Sequence, residues 1–125
     1  MATASAAKQG DPIGTSLFTV TEAASPSTSV SLSTVTGSVL MIEIDNTGNS
    51  TAVYLNLYDL AGGGAVTPGG TLEDYVFMAP ASSRVTYACP DGAVYTNGLW
   101  AAIVATQGTA TGPTSPVTAY ILINT

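Results

Sequence analysis

Residues 51–60 read TAVYLNLYDL. In an extended chain Val53, Leu55 and Leu57 fall on one side, and Tyr54, Asn56 and Tyr58 fall on the other. That period of two predicts a strand with one face in an apolar core. Turn-forming residues bracket it, DNTGNS over 45–50 and AGGGAVTPGG over 61–70, where Gly, Pro, Asn and Asp break regular structure. The same alternation of short strand and Gly/Pro/Ser/Thr-rich turn runs outward in both directions.

Towards the N-terminus, residues 39–46 set Leu40, Ile42 and Ile44 on one face and Met41, Glu43 and Asp45 on the other. A slip of one residue would bury both acids, so the register is well specified. Residues 29–36 alternate with Val30 and Leu32 inward, and 17–23 read LFTVTEA, rich in strand formers. Pro26 marks the turn between those two, and Gly37-Ser38 a short turn before the next. Towards the C-terminus, strands are expected over 71–79, 83–88, 93–95, 99–106 and 117–124. Pro90-Asp91-Gly92 reads as a turn, and Asn97-Gly98 as the tight turn of a β-hairpin. No segment carries a capped helical period of ten residues or more. About eight short strands at this spacing predict an all-β fold: a single antiparallel β-sandwich, jelly-roll-like, with a mostly closed barrel as the alternative. Residues 1–16 are small and polar without periodicity and are expected to form an extended N-terminal arm docked on a neighbouring subunit, with pairing onto the edge of its own sheet as the alternative, ahead of a sandwich domain over 17–125.

A chain of 125 residues fits one domain and buries enough surface to fold without disulfides or metal. Apolar residues make up 46% and charged residues 8%, against about 25% charged in a typical domain. So little charge repulsion suits a surface packed against other protein. The net charge is −6 and only Lys8 and Arg84 are positive, which argues against nucleic acid and against an anionic membrane surface as partners. No apolar run is long enough to span a membrane, and the first ten residues lack the basic and apolar regions of a secretory signal. Cys89 is the one cysteine and stands between Ala88 and Pro90, without a basic neighbour, so it is expected as a buried inert thiol.

Chemistry-bearing patterns are sparse. There is no histidine, which removes Ser-His-Asp and Cys-His catalysis and His-ligated zinc. The glycines at 62–64 and 69–70 lead into a strand and lack the Lys-Ser/Thr ending of a phosphate loop. Glu43 and Asp45 share a strand face at a separation compatible with an acid pair, but a solvated face explains them. Residues 45–49 depart from the calcium-loop pattern and read as an Asx-type turn. Asn49-Ser50-Thr51 matches a glycosylation sequon and is read as chance. The expectation is a protein without enzymatic activity and without a cofactor.

Tyrosine offers contact area at little entropic cost and is enriched at interfaces. Tyr54 and Tyr58, facing away from the Val/Leu set, are therefore candidate partner contacts, alternatively covered by another part of the chain. Lys8 and Asp11 in the arm, and Leu17 and Phe18 where it meets the sandwich, complete the candidate contacts. Trp100, beside Leu99, is expected in the core.

Val53-Tyr54-Leu55-Asn56-Leu57-Tyr58-Asp59, a loop with Pro68, Gly92-Ala93-Val94-Tyr95, Gly98-Leu99 leading to Ala102-Ile103-Val104-Ala105-Thr106, and a final alternating strand follow one another in that order. Together they resemble small β-sandwich virion structural proteins of tailed bacteriophages. The resemblance covers residues 52–124 and departs at Asn97, an extra residue, and at 107–116, a short loop. It implies a capsid decoration (cement) protein or a head fibre, located on the capsid surface of the virion. Such a protein binds the major capsid protein and itself, as a homo-oligomer with a trimer favoured over a dimer. The alternative it leaves is a tail or head-fibre adhesin, a carbohydrate-binding module using Trp100, Tyr54 or Tyr58. The family has no catalytic residues to carry over.

Overall fold

The alternating stretches fold as strands. A computed structural model describes residues 2–8, 15–23 and 25–125 and has nine strands among them: β1 (Ala2–Lys8), β2 (Thr15–Glu22), β3 (Val30–Ser33), β4 (Gly37–Asp45), β5 (Val53–Asp59), β6 (Tyr75–Ala79), β7 (Arg84–Tyr95), β8 (Leu99–Val104) and β9 (Val117–Asn124). Five form one sheet in the order β1-β2-β9-β4-β7, and four form the other in the order β3-β8-β5-β6. Every pairing is antiparallel.

The order is that of a jelly roll. Strands pair from the outside of the chain inward: β2 with β9, β3 with β8, β4 with β7, β5 with β6. Rolling that nested ribbon adds the β4–β9 and β5–β8 pairings and closes two sheets over one core. The residues that alternate inward supply it. Ile42, Ile44, Ala119 and Ile121 from one sheet meet Val53, Leu55, Leu57 and Ile103 from the other, all fully buried. β9 keeps strict alternation along its whole length.

Four local expectations are corrected. The described part of the expected arm is β1, which pairs with β2 from Ala2↔Glu22 to Lys8↔Ser16. The boundary expected after Ser16 thus falls inside β2. A run of small residues has no apolar period to announce a strand, yet its backbone groups satisfy themselves on the adjacent edge. Second, Pro90-Asp91-Gly92 lies within β7. Val39 pairs with Ala93 and Met41 with Ala88, so Cys89 to Gly92 bulge out of the ladder. The bulge is tolerated because β7 is an edge strand, where proline's missing N–H costs no ladder bond. The same irregularity puts Val39 into the core and leaves Leu40 half-exposed. Cys89 is half-buried and packs against the core.

Third, Gly37 and Ser38 begin β4 and form no turn. Fourth, Asn97-Gly98 is a corner between sheets, since β7 and β8 belong to different ones. Asp59 organises it: its Oδ2 accepts the Thr96 N–H at 2.9 Å and its Oδ1 the Asn97 N–H at 2.8 Å. At Gly98 a Cβ would stand 2.6 Å from the Leu60 carbonyl oxygen and 2.8 Å from that of Ser33, with φ at +153°. Both obstacles are backbone and cannot rotate away. Gly98→Ala is expected to destabilise the fold by about 2–4 kcal/mol, read as a drop in the urea midpoint. An unchanged midpoint would mean the corner is looser than described.

Candidate functional site

The pairing registers place the outward side chains of the five-stranded sheet in rows. One row runs Thr21, Thr118, Asp45, Arg84; the next Thr19, Tyr120, Glu43, Thr86; the third Leu17, Leu122, Met41, Ala88. None of these twelve residues is buried. The face is therefore a broad surface of threonine, one tyrosine and a strip of aliphatic side chains, with its charges gathered in one place.

One guanidinium there is shared between two carboxylates, which leaves the patch at a net −1. Arg84 Nη2 lies 2.6 Å from Glu43 Oε1, Nη1 lies 3.5 Å from Asp45 Oδ2, and the guanidinium stacks 5.9 Å above the centre of the Tyr120 ring. Arg84 Nε also donates to Glu43 Oε1 at 3.1 Å. The Thr47 hydroxyl donates to Asp45 Oδ1 at 2.7 Å and the Thr47 N–H at 3.1 Å. Those two bonds, helped by Arg84, hold the Asp45 carboxyl below its ordinary range. A general acid needs the opposite shift. The arrangement is an ion-paired patch within a sheet face, and residues 45–47 make the expected Asx turn.

Behind that turn two buried asparagines tie three loops together. Asn46 Nδ2 donates to the carbonyls of Thr51 (3.0 Å), Ala79 (3.3 Å) and Pro80 (3.0 Å). Asn49 Nδ2 donates to Asn46 Oδ1 and the Ser115 carbonyl, and Asn49 Oδ1 accepts from Ser115 N–H and the Thr114 hydroxyl. With both ends of its amide engaged and 3% exposure, Asn49 presents no acceptor nitrogen to a glycosylating enzyme in the folded chain. Among the described residues no group of three His, Cys, Asp or Glu could hold a metal ion.

The outer face of the four-stranded sheet is different. Tyr58, Ala102 and Val66 form a second apolar cluster with Leu60 and Trp100 against it. The segment after β5 lies over it: Trp100 Nε1 donates to the Ala61 carbonyl at 3.3 Å, and the Ser29 hydroxyl to the Val66 carbonyl at 2.7 Å. Tyr58 is 1% exposed, so as a partner contact it is corrected to an internal one: the 61–70 segment supplies the second layer. Trp100 is half-buried in this satellite cluster and not in the main core. Tyr54 is half-buried, opposite Met78 on one side and Val104 on the other. The three rings do not form one open platform.

Of the other candidates, Leu17 lies in the aliphatic strip of the outer face, whereas Phe18 points inward against the core. That corrects Phe18 to a packing residue, because strand alternation sends neighbours to opposite faces. Lys8 ends β1, and Asp11 lies outside the described residues. The strip through Leu122 and Met41 is a further candidate contact beyond those read from the sequence. Its signal was present, in the apolar residues on the nominally wet side of β4 and β9.

Burial raises the Tyr58 and Tyr95 hydroxyls above their ordinary pKa. At Asp59 burial pushes the carboxyl up, but hydrogen bonds from the Asn97, Thr96 and Gly98 backbone outweigh it and the net shift is down. The lowered Asp45 and Asp59 contribute stability that is complete above about pH 4 and is lost as pH falls through their folded values. The raised tyrosines contribute stability that is complete below about pH 10 and is lost as pH rises through theirs. With no histidine between, the melting temperature is expected to stay level from about pH 5 to 9 and to fall on both sides. A slope centred near neutral pH would contradict this. No protein-family model matches the chain, and no curated protein matches it.

Proposed function

We propose that this chain is a virion structural protein of a tailed bacteriophage: a capsid decoration, or cement, protein that binds the major capsid protein on the outer surface of the head and stabilises the shell. The observation that carries this reading is the outer face of the five-stranded sheet, where Leu17, Leu122, Met41 and Ala88 lie beside two rows rich in threonine and one ion-paired cluster of Arg84 with Glu43 and Asp45. The family resemblance over residues 52–124 supplies the identity of the partner. The jelly roll adds compatibility alone, because one fold hosts many functions.

The mechanism is mechanical. The face docks on neighbouring capsid subunits, and aliphatic burial contributes about 25 cal/mol per Å² removed from water. Threonine hydroxyls rotate to suit donors or acceptors on the shell. Little net charge is brought to the contact, so salt weakens it little. Bridging of adjacent subunits resists the outward pressure of the packaged genome. In co-sedimentation with emptied, expanded capsids of the phage that encodes it, the purified chain is expected to bind to saturation at a fixed number of copies. Absence of binding to any capsid form would overturn the reading.

A further inference from the structure

Among the described residues the sandwich has four edge strands, and they are not alike. On one side β6 and β7 latch each other: the Tyr75 hydroxyl donates to the Val94 carbonyl at 2.8 Å and the Tyr87 hydroxyl to the Met78 carbonyl at 2.5 Å. β7 is further broken by its bulge. On the other side β3 is only four residues long with an irregular register. β1 is seven residues of unbroken strand with no proline, glycine or acid, and its one charge, Lys8, is its last residue. Apart from the Ala2 N–H, bonded to the Thr28 hydroxyl at 2.7 Å, no described residue pairs with its outer edge. It also overhangs the opposite sheet. Ala4 is exposed although it stands opposite the fully buried Val20, and its neighbours Thr3 and Ser5 are exposed as well.

We propose that the outer edge of β1 pairs antiparallel with β1 of a second copy, joining two five-stranded sheets into one. Natural edges are usually blunted by charge, bulge or proline; β1 has none within its span. The chain carries −6 overall, but β1 and β2 hold only one acid, Glu22, and it is buried. Two acidic copies can therefore approach along this border with little repulsion between carboxylates. Antiparallel pairing places the twofold axis perpendicular to the sheet, so both outer faces look the same way. One face of four strands by eight residues covers on the order of 500 Å², below the roughly 800 Å² per partner of a stable complex; two joined faces reach it. Isologous pairing closes at two copies, in place of the trimer that the resemblance implied. The inference deepens the self-association that the family resemblance implies and stands whether or not a capsid is the partner.

Sedimentation of the full chain tests it. A concentration-dependent dimer is expected. Thr3→Lys with Ser5→Lys should raise the dimer dissociation constant on the order of tenfold or more while leaving the melting temperature near wild type. Thr86→Lys with Ala88→Lys, on β7, should leave the dimer unchanged. In a Cys89→Ser background, single cysteines at 3, 4 and 5 should cross-link between copies, one position most efficiently, since directly opposed strand residues match disulfide geometry. A wild-type monomer at all concentrations, or a dimer that loses association with the β7 pair and keeps it with the β1 pair, would overturn the proposal. Capsid binding is read separately: if it fails while the dimer persists, the cement reading falls and this one stands.

Discussion

Asn46→Ala is expected to lower the stability of the fold by about 3–4 kcal/mol, the largest effect of any single polar truncation. Its amide is the common donor for the Thr51, Ala79 and Pro80 carbonyls and the acceptor for Asn49. Removing it leaves the Ala79 carbonyl and the Asn49 amide without their partner in a dry setting, where each orphan costs about 1–3 kcal/mol before relaxation, and frees the Thr51 and Pro80 carbonyls in a partly wet one. For a chain of this length the melting temperature should fall by about 10 °C or more. Asn49 loses its own anchor, so the Ser115 and Ser82 contacts on Asn49 loosen with it. Asn49→Ala in the Asn46→Ala background should therefore add less than it does alone. Full additivity, by chemical denaturation of the four proteins, would show that the two amides act independently.

The second large effect concerns binding. Leu122 and Met41 are cross-strand neighbours in the aliphatic strip. Replacing both with glutamate puts two charges where the proposed contact is driest. Burying unpaired charge is strongly unfavourable, and residues at the centre of an interface carry most of its energy. Capsid affinity should fall about 100-fold or more, with the melting temperature within a few degrees of wild type because both side chains already meet water. The ion pair beside them offers a graded comparison. Arg84→Ala removes the cation shared by Glu43 and Asp45; it should weaken binding less and make it more sensitive to salt. A double-glutamate variant that binds as well as wild type would remove this face from the mechanism.

Much of the fold was legible because its signal is local. Residues 53–57, 42–45 and 117–124 alternate strictly, and alternation alone assigns their inward and outward faces. The number and spacing of strands then favoured the jelly-roll family of sandwiches. What could not be read depends on partners distant in sequence. Asn97-Gly98 has the chemistry of a hairpin turn, but whether the flanking strands pair or diverge is decided by β4 and β5, which claim β7 and β8 for separate sheets. Pro90 signals a break that an edge strand absorbs as a bulge. Residues 2–8 carry no periodic apolar set because β1 overhangs the core. Tyr58 had the right chemistry for a contact, and only the folded path of residues 61–70 shows that Val66 covers it.

Two methionines give the most direct readout of the proposed capsid contact. Met41, on the outer face of the five-stranded sheet, and Met78, on the four-stranded sheet, are each 41% exposed, so the free chain should oxidise at both with similar ease. On saturated capsids, peroxide footprinting read by mass spectrometry is expected to show Met41 protected several-fold while Met78 keeps its free rate. Protection of Met78 with Met41 still reactive, or equal reactivity of both in the bound state, would contradict the assignment of the five-stranded face as the surface that grips the shell.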